Sequence, residues 1–252
     1  MDRYELYELT VQSPRHAAAL LRAIHGRRPE ILGEDFAGTA ALSRYWAASA
    51  PGARAVAVDL DGEALGRAAG AEGVTLVQGD VREATEPVDV LFVGNFSIGY
   101  LHGRAELVGY LRHALGRLRA EGVFVCDTYG GESAFVVGHV HRYHRTADGR
   151  RIRYTWEQRE ADPLTGMVTD VLHFRVDRAG EIEGELRDAF VYRWRLWSVP
   201  ELRDAMVEAG FAGTAVYAQL PDAEDDQQNA YAQPLRAEEL GESFIVCVAG
   251  RR

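Results

Sequence analysis

The stretch ILGEDFAGTAALSRYW, Ile31–Trp46, reads as a short strand, a tight turn and the start of a helix. Nucleotide-binding loops begin in this way, because the first N–H groups of the helix and its dipole face whatever rests on the turn. A dinucleotide loop places glycine at three points so that the backbone can approach a pyrophosphate. Laid on this chain, that pattern puts Phe36 at the first glycine, Gly38 at the second and Ala41 at the third. A phenylalanine at the first point and the absence of lysine count against both a dinucleotide loop and a P-loop. A ligand without phosphates, needing close backbone approach at fewer points, fits the turn better.

On either side of the turn the chain alternates between helix and strand patterns. Ser13 and Pro14 make a helix start, serine as N-cap and proline at the first helical position. Ala17, Leu20, Leu21 and Ile24 then recur at helical spacing until Gly26 and Pro29. Beyond the turn we expect a helix over 39–49, a strand over 53–60, a helix over 62–70 and a strand over 74–80. A strand over 88–96, a helix over 104–119 and a strand over 122–129 follow. The strands are continuous Val/Leu/Ile/Phe runs, as in a parallel sheet covered on both faces. This is the grammar of a doubly wound α/β core.

After residue 130 the pattern changes. Segments 150–160, 167–177 and 184–197 alternate apolar and polar residues, with DPLTG and DRAGE between them as turns. We read an antiparallel β meander inserted into the core. A helix over 198–211 has Ser198 as N-cap and closes at Gly210, and TAVYAQL and ESFIVCVAG make a final strand pair. Between those two lies a long polar loop, 221–241. The expected division is a core with an N-terminal lid helix over 1–130, the insert over 131–197, and a return to the core over 198–252.

Bulk properties narrow the classes. A length of 252 residues with 47% apolar content suits one large α/β domain or a core with an appendage. No apolar run approaches the ~18 residues of a membrane span, and MDRYELYELTVQS has neither the basic start nor the apolar middle of a signal peptide. Cys126 and Cys247 sit in apolar runs, as buried thiols of a reducing compartment do, so we expect a cytoplasmic protein. The net charge of −10 disfavours nucleic acid. All basic residues are arginine, a usage that fits a GC-rich genome.

Four strand ends converge on one crevice. Glu34 precedes the turn, and Asp59 ends the second strand 21 positions after Gly38, where a carboxylate accepts ribose hydroxyls, with Leu60 beside it. Asp80 and Val81 end the third strand, where a carboxylate can receive an adenine amino group, and Asn95–Phe96 end the fourth. S-adenosylmethionine is a ligand of the required kind. Its adenosine and methionine limbs pass over such a turn, and an aromatic face such as that of Phe36 suits a sulfonium.

With these residues the chain resembles the class I S-adenosylmethionine-dependent methyltransferases over about residues 4–250. EDFAGTA (34–40) matches their first motif, with Glu34 as its acidic member, Gly38 kept, and Phe36 and Ala40 in place of usual glycines. VDLD (58–61), GDV (79–81), VGNFSIGYL (93–101) and LRAEGVFVCD (118–127) match the later motifs in order. The resemblance implies a Rossmann-like, doubly wound, seven-stranded mixed sheet whose last strand is antiparallel and inserted between the fifth and sixth. Cys126 and Cys247 would then lie on neighbouring strands. It implies S-adenosylmethionine as cofactor and S-adenosylhomocysteine as product. The β insert is similar to that of sugar N-methyltransferases and glycine-type N-methyltransferases. In the family an N-terminal segment folds over the cofactor. The cluster Tyr4, Tyr7, Gln12 and Arg15 would place a tyrosine over the pocket and an arginine at the methionine carboxylate.

The segment HVHRYHRTADGRRIRY (139–154) holds five arginines and three histidines against one aspartate. It offers a general base, His141 or His144, and an anion site for a small-molecule acceptor. A metal site of His139, His141 and His144 lacks acidic or cysteine partners, so no metal is expected. A solvated turn and strand face is the plainer reading of most of these arginines. Trp156, Tyr192, Trp194 and Trp197 line an acceptor pocket, a homodimer surface or, most simply, the packing of the insert. The function this supports is methyl transfer to N or O of a small molecule, with no membrane partner. An amine needs no dedicated base, whereas a hydroxyl would use one. The rival readings are a binding module that keeps the fold without turnover and a nicotinamide-dependent oxidoreductase. NFSI also lacks the Pro-Pro-Tyr signature of base-amino methyltransferases.

Overall fold

The computed structural model describes residues 1–220, 223–224 and 230–252. In chain order the elements are α1 (Arg3–Thr10), α2 (Pro14–His25), β1 (Ile31–Asp35), α3 (Ala41–Ala48), β2 (Arg54–Asp59) and α4 (Gly62–Leu65). Next come β3 (Val74–Gln78), β4 (Val88–Val93), α5 (Arg104–Arg117) and β5 (Leu118–Gly131). Four long strands follow, β6 (Gly138–Arg145), β7 (Arg150–Asp162), β8 (Met167–Arg178) and β9 (Glu181–Arg195). The chain closes with α6 (Val199–Ala209), β10 (Gly213–Ala218), the short pair β11 (Ala223–Glu224) and β12 (Ala230–Tyr231), and β13 (Ser243–Arg251).

Two compact units result, one of residues 13–131 and 197–252, the other of residues 1–12 and 132–196. The first holds a seven-stranded sheet in the order β10-β13-β5-β4-β1-β2-β3. Only β13 runs against its neighbours, between β5 and β10. Strand order reverses at β1, which pairs with both β2 and β4. Ligands of open α/β sheets bind at such a reversal, beyond the carboxyl ends of the strands.

Alternation along β1 divides its side chains between two cores. Ile31 joins Val58, Leu91, Phe124 and the apolar sides of α5 and α6. Leu32 joins Val90, Val125, Trp46 of α3 and Leu21 of α2 on the other face. The two thiols follow the same rule. Cys247 is in register with Asp127, and Cys126 with Val248, so neighbouring strands carry them to opposite faces as free, buried thiols.

The second unit is a four-stranded antiparallel sheet in the order β6-β7-β8-β9. Sequence alternation identifies three of its strands; the fourth, β6, lies within the Arg/His-rich segment. All but one of its residues are exposed, so neither face shows the apolar period that marks a strand. Helix α1 belongs here rather than to the core. Its Leu6 and Tyr7 pack with Ile152, Tyr154, Phe174 and Ala189. Trp156 and Tyr192 pack against the same cluster, and the Tyr192 and Trp194 rings stack at 4.4 Å. Trp197 belongs to the core instead, buried with its Nε1 donating to Leu101 O at 2.9 Å.

Two local expectations meet different outcomes. Ser13 stands at the N-cap of α2, but its side chain makes no capping bond. Ser198 caps α6 with a full capping box, Glu201 Oε2 accepting from Ser198 N at 2.9 Å. The helix expected over 62–70 is a single turn continued by a 3₁₀ turn over 66–68, since Gly66 and Gly70 weaken its continuation. The polar 221–241 loop lies partly outside the described residues.

Candidate functional site

The turn after β1 takes left-handed backbone at alternate residues: Phe36 (φ 57°), Gly38 (φ 54°) and Ala40 (φ 52°). Its shape is therefore that of a glycine-rich loop, although two of the three residues carry a Cβ. Each such residue costs about 1–2 kcal/mol, so other contacts must hold the turn. Ala37 N donates to Val58 O at 3.0 Å, Ala40 N to Ala37 O at 2.9 Å, and Gly38 N to Asp59 Oδ2 at 2.7 Å. A side chain at Gly38 would meet nothing within 4 Å, so the outer face of the turn is open. Thr39 Oγ1 is buried there without a hydrogen-bond partner. The Phe36 ring stacks on Tyr100 at 5.9 Å and meets Tyr110 edge-on at 6.3 Å.

Glu34 supports this turn from the α3 side. Ala40, at the N-cap of α3, has no side chain that can cap. Glu34 Oε2 serves instead, accepting from Ser43 N at 2.9 Å and Ser43 Oγ at 2.6 Å. Motif position marks Glu34 as a cofactor residue; the structure spends that oxygen on a helix N-terminus. Burial pushes its carboxyl up to about 7, against the pull of Ser43.

Asp59 occupies the crevice as its spacing implies. Oδ2 accepts from Gly38 N, and Oδ1 from Asp61 N at 2.8 Å. Each carboxylate oxygen keeps a second lone-pair site. Leu60 follows with 70% of its surface exposed, an apolar side chain at a strand end. Asp80 is half-buried, and Arg82 clamps it through Nε at 2.9 Å and Nη2 at 2.5 Å, which holds its carboxyl below the ordinary range. A role as acceptor of an adenine amino group would compete with Arg82. Val81 is buried in the apolar core, so its side chain does not line the crevice.

The fourth strand end carries a second pair of left-handed residues, Asn95 (φ 54°) and Phe96 (φ 62°). Their successive N–H groups converge on Asp127 of β5, Asn95 N on Oδ2 at 2.9 Å and Phe96 N on Oδ1 at 2.7 Å. Tyr129 meets the Phe96 ring edge-on at 5.0 Å. Burial raises the Asp127 carboxyl to about 7, while the two N–H donors pull it down. Neither Asp127 nor the buried Asp35 is singled out by sequence. The only available signal is an acid that follows an apolar run.

Glu34 and Asp127 give stability a defined pH dependence. Both carboxyls titrate higher in the folded chain than their ordinary 4.5 and 3.8. The folded state therefore binds protons that the unfolded state has released, and stability present at pH ~4 is lost as pH rises through about 7. We predict that Glu34→Gln makes the urea midpoint at fixed ionic strength fall less, or rise more, between pH 5 and 8 than it does in the wild type. A Glu34→Gln profile as steep as the wild-type one would contradict the assignment.

The remaining expected site residues are Arg15 on α2 and Tyr7, His141 and His144 of the other unit. Arg15 is an exposed residue of α2. Tyr7, in the other unit, has its ring 5.2 Å from Phe190, and Tyr4 meets the same ring at 5.7 Å. His141 and His144 are on β6. The His141 ring shares a 2.8 Å hydrogen bond between Nδ1 and Thr155 Oγ1 and lies 4.8 Å from the His139 ring. Desolvation, then His139 and Arg153, hold His141 below its ordinary value. His144 is half-buried, in register with Ile152.

No protein-family profile and no curated protein matches the chain. Solved structures do. DesVI of Streptomyces venezuelae aligns over 99% of this chain and 98% of its own, with TM-score 0.71 and 18% identity. The sugar N-methyltransferase KedS8 of Streptoalloteichus aligns over 100% and 93%, with TM-score 0.68 and 18% identity. CalS10 of Micromonospora echinaspora, an amino pentose methyltransferase with S-adenosylmethionine bound, aligns over 100% and 98%, with TM-score 0.69 and 20% identity. The chain has the class I methyltransferase fold. In that methyltransferase fold Glu34, Phe36, Gly38, Asp59, Leu60, Asp80, Asn95 and Phe96 stand at the carboxyl ends of β1–β4 or in the turns that follow. Tyr7, His141 and His144 belong to the inserted unit. Among the described residues no helix is long and apolar enough to cross a membrane, and no three His, Cys, Asp or Glu side chains are grouped to hold a metal.

Proposed function

We propose that the protein transfers a methyl group from S-adenosylmethionine to a nitrogen or oxygen of a small-molecule acceptor. The observation that carries this reading is the Asp59 carboxylate, tied to Gly38 N at the point where strand order reverses. There it can accept ribose hydroxyls, with Leu60 as an apolar surface for a base and the open face of Gly38 for the methionine limb. The buried, unpartnered hydroxyl of Thr39 is a further polar group that a ligand on the turn can satisfy. The turn offers no lysine and only one glycine, Gly38, for phosphates, which favours this cofactor over a dinucleotide.

When bound, the cofactor supplies an electrophilic methyl on sulfur. The chain's task is then to orient the acceptor in line and exclude water. Asn95 and Phe96, fixed by Asp127, stand at the strand end beside that reaction. An amine acceptor brings its own lone pair and needs no base; for a hydroxyl acceptor His141 or His144 would take the proton. The likeness in fold to KedS8, a sugar N-methyltransferase, and CalS10, an amino pentose methyltransferase, favours amino sugars as the first acceptors to examine. Arg145 and Arg153 share one face of β6 and β7 and have no carboxylate partner among the described residues, which favours an acceptor bearing an anionic group.

Transfer from methyl-labelled S-adenosylmethionine to a panel of amino sugars, small amines and hydroxyl compounds tests the proposal. We expect labelled product from at least one amine and release of S-adenosylhomocysteine. Saturable cofactor binding with no transfer to any acceptor would instead favour a binding module.

A further inference from the structure

Asp35 stands between the helix-capping Glu34 and the left-handed Phe36, and it is wholly buried. Its side chain points away from that of Glu34, toward α5. Nη1 of Arg117 donates to both of its oxygens, at 2.9 and 2.8 Å, and the Tyr110 hydroxyl donates to Oδ2 at 2.8 Å. Arg117 and Tyr110 are themselves buried, at 3% and 1% exposure. Arg117 Nη2 has no hydrogen-bond partner.

Helix packing alone does not call for these charges. Around them the contact between α5 and the sheet is made by Leu91, Leu107, Leu111, Ala114 and Phe124. Apolar side chains of similar volume usually replace a buried ion pair with no loss of stability. What the pair adds is direction. It fixes the last side chain of β1, and with it the course of the backbone entering Phe36. Tyr110 reaches the same place twice, through its hydroxyl on Asp35 and its ring against Phe36. Glycine would enter the left-handed region freely; Phe36 and Ala40 do not.

We infer that Asp35, Arg117 and Tyr110 are positioning residues that hold the 36–40 turn in a glycine-like conformation its own side chains disfavour. They thereby set the surface on which the cofactor rests. The second half of this inference relies on the proposed function, whereas the first half is independent of it.

The test is the double variant Asp35→Leu/Arg117→Met, with amide hydrogen exchange as the readout. We expect the Gly38 and Ala40 amides to exchange about tenfold faster, with the Leu91 and Phe124 amides unchanged and a urea midpoint no lower than wild type. The S-adenosylhomocysteine dissociation constant should rise about tenfold, and Phe36→Gly in the same background should recover most of that loss. Turn amides that exchange as in wild type, in a folded double variant, would overturn the inference. If the double variant does not fold, Tyr110→Phe decides, since it removes only the hydroxyl. Faster exchange confined to the turn supports the triad, and unchanged exchange refutes it. Wild type that binds no S-adenosylhomocysteine, while the variants still loosen the turn, would remove the cofactor reading and leave the triad standing.

Discussion

Asp59→Ala is expected to weaken S-adenosylhomocysteine binding by about two to three orders of magnitude while leaving the core folded. The carboxylate makes two charge-assisted hydrogen bonds, to Gly38 N and Asp61 N. On the proposed function it also receives the ribose hydroxyls. Hydrogen bonds to a charged group contribute about 1.5–3 kcal/mol each, and losing the turn anchor together with a ligand contact amounts to about 3–4 kcal/mol. The fold should survive because Asp61 caps α4 with its own side chain, accepting from Glu63 N and Ala64 N. Asp59→Asn keeps one acceptor for Gly38 and should lose about tenfold. Calorimetric titration of both variants checks the order. Wild-type affinity in Asp59→Ala would mean that the ligand does not sit at the end of β2.

Asp127→Ala should have the largest effect on stability. It leaves the N–H groups of Asn95 and Phe96 without their acceptor, and an orphaned buried donor costs about 1–3 kcal/mol. Release of these two non-glycine residues from their left-handed conformation offsets part of that cost. We expect a loss of about 2–4 kcal/mol in urea unfolding, a large share of the 5–15 kcal/mol typical of a domain. On the proposed function, methyl transfer should fall further than cofactor binding does, because the disturbed strand end would lie beside the reacting group. Asp127→Asn accepts one N–H but turns its amide N–H₂ toward the other, so it should fall between the two. An Asp127→Ala variant as stable as wild type would show that water replaces the carboxylate.

Much of this was legible in the residues. The apolar strand runs, the turn at Gly38 and the 21-residue interval to Asp59 specify a parallel core with its crevice at β1. What they leave hidden has physical causes. Alternation along β1 shows that Glu34 and Asp35 point opposite ways, but their partners, Ser43 and Arg117, are 9 and 82 residues distant. Asp127 is bound by backbone N–H groups, which no side-chain pattern reveals. Phe36 and Ala40 look like losses from a glycine motif because their residue types rarely adopt positive φ; the backbone conformation itself is retained. Strand β6 escapes notice because all but one of its residues are exposed, so neither face shows an apolar period.

On the proposed function the crevice at β1 and β2 accepts S-adenosylmethionine although Phe36 and Ala40 stand in its turn. Calorimetric titration of the wild-type protein with S-adenosylhomocysteine tests it most directly. Saturable binding at a single site, displaced by S-adenosylmethionine, is the expected result. The absence of binding heat, and of any shift in unfolding temperature, in a folded sample would contradict it and reduce the likeness to methyltransferases to one of fold.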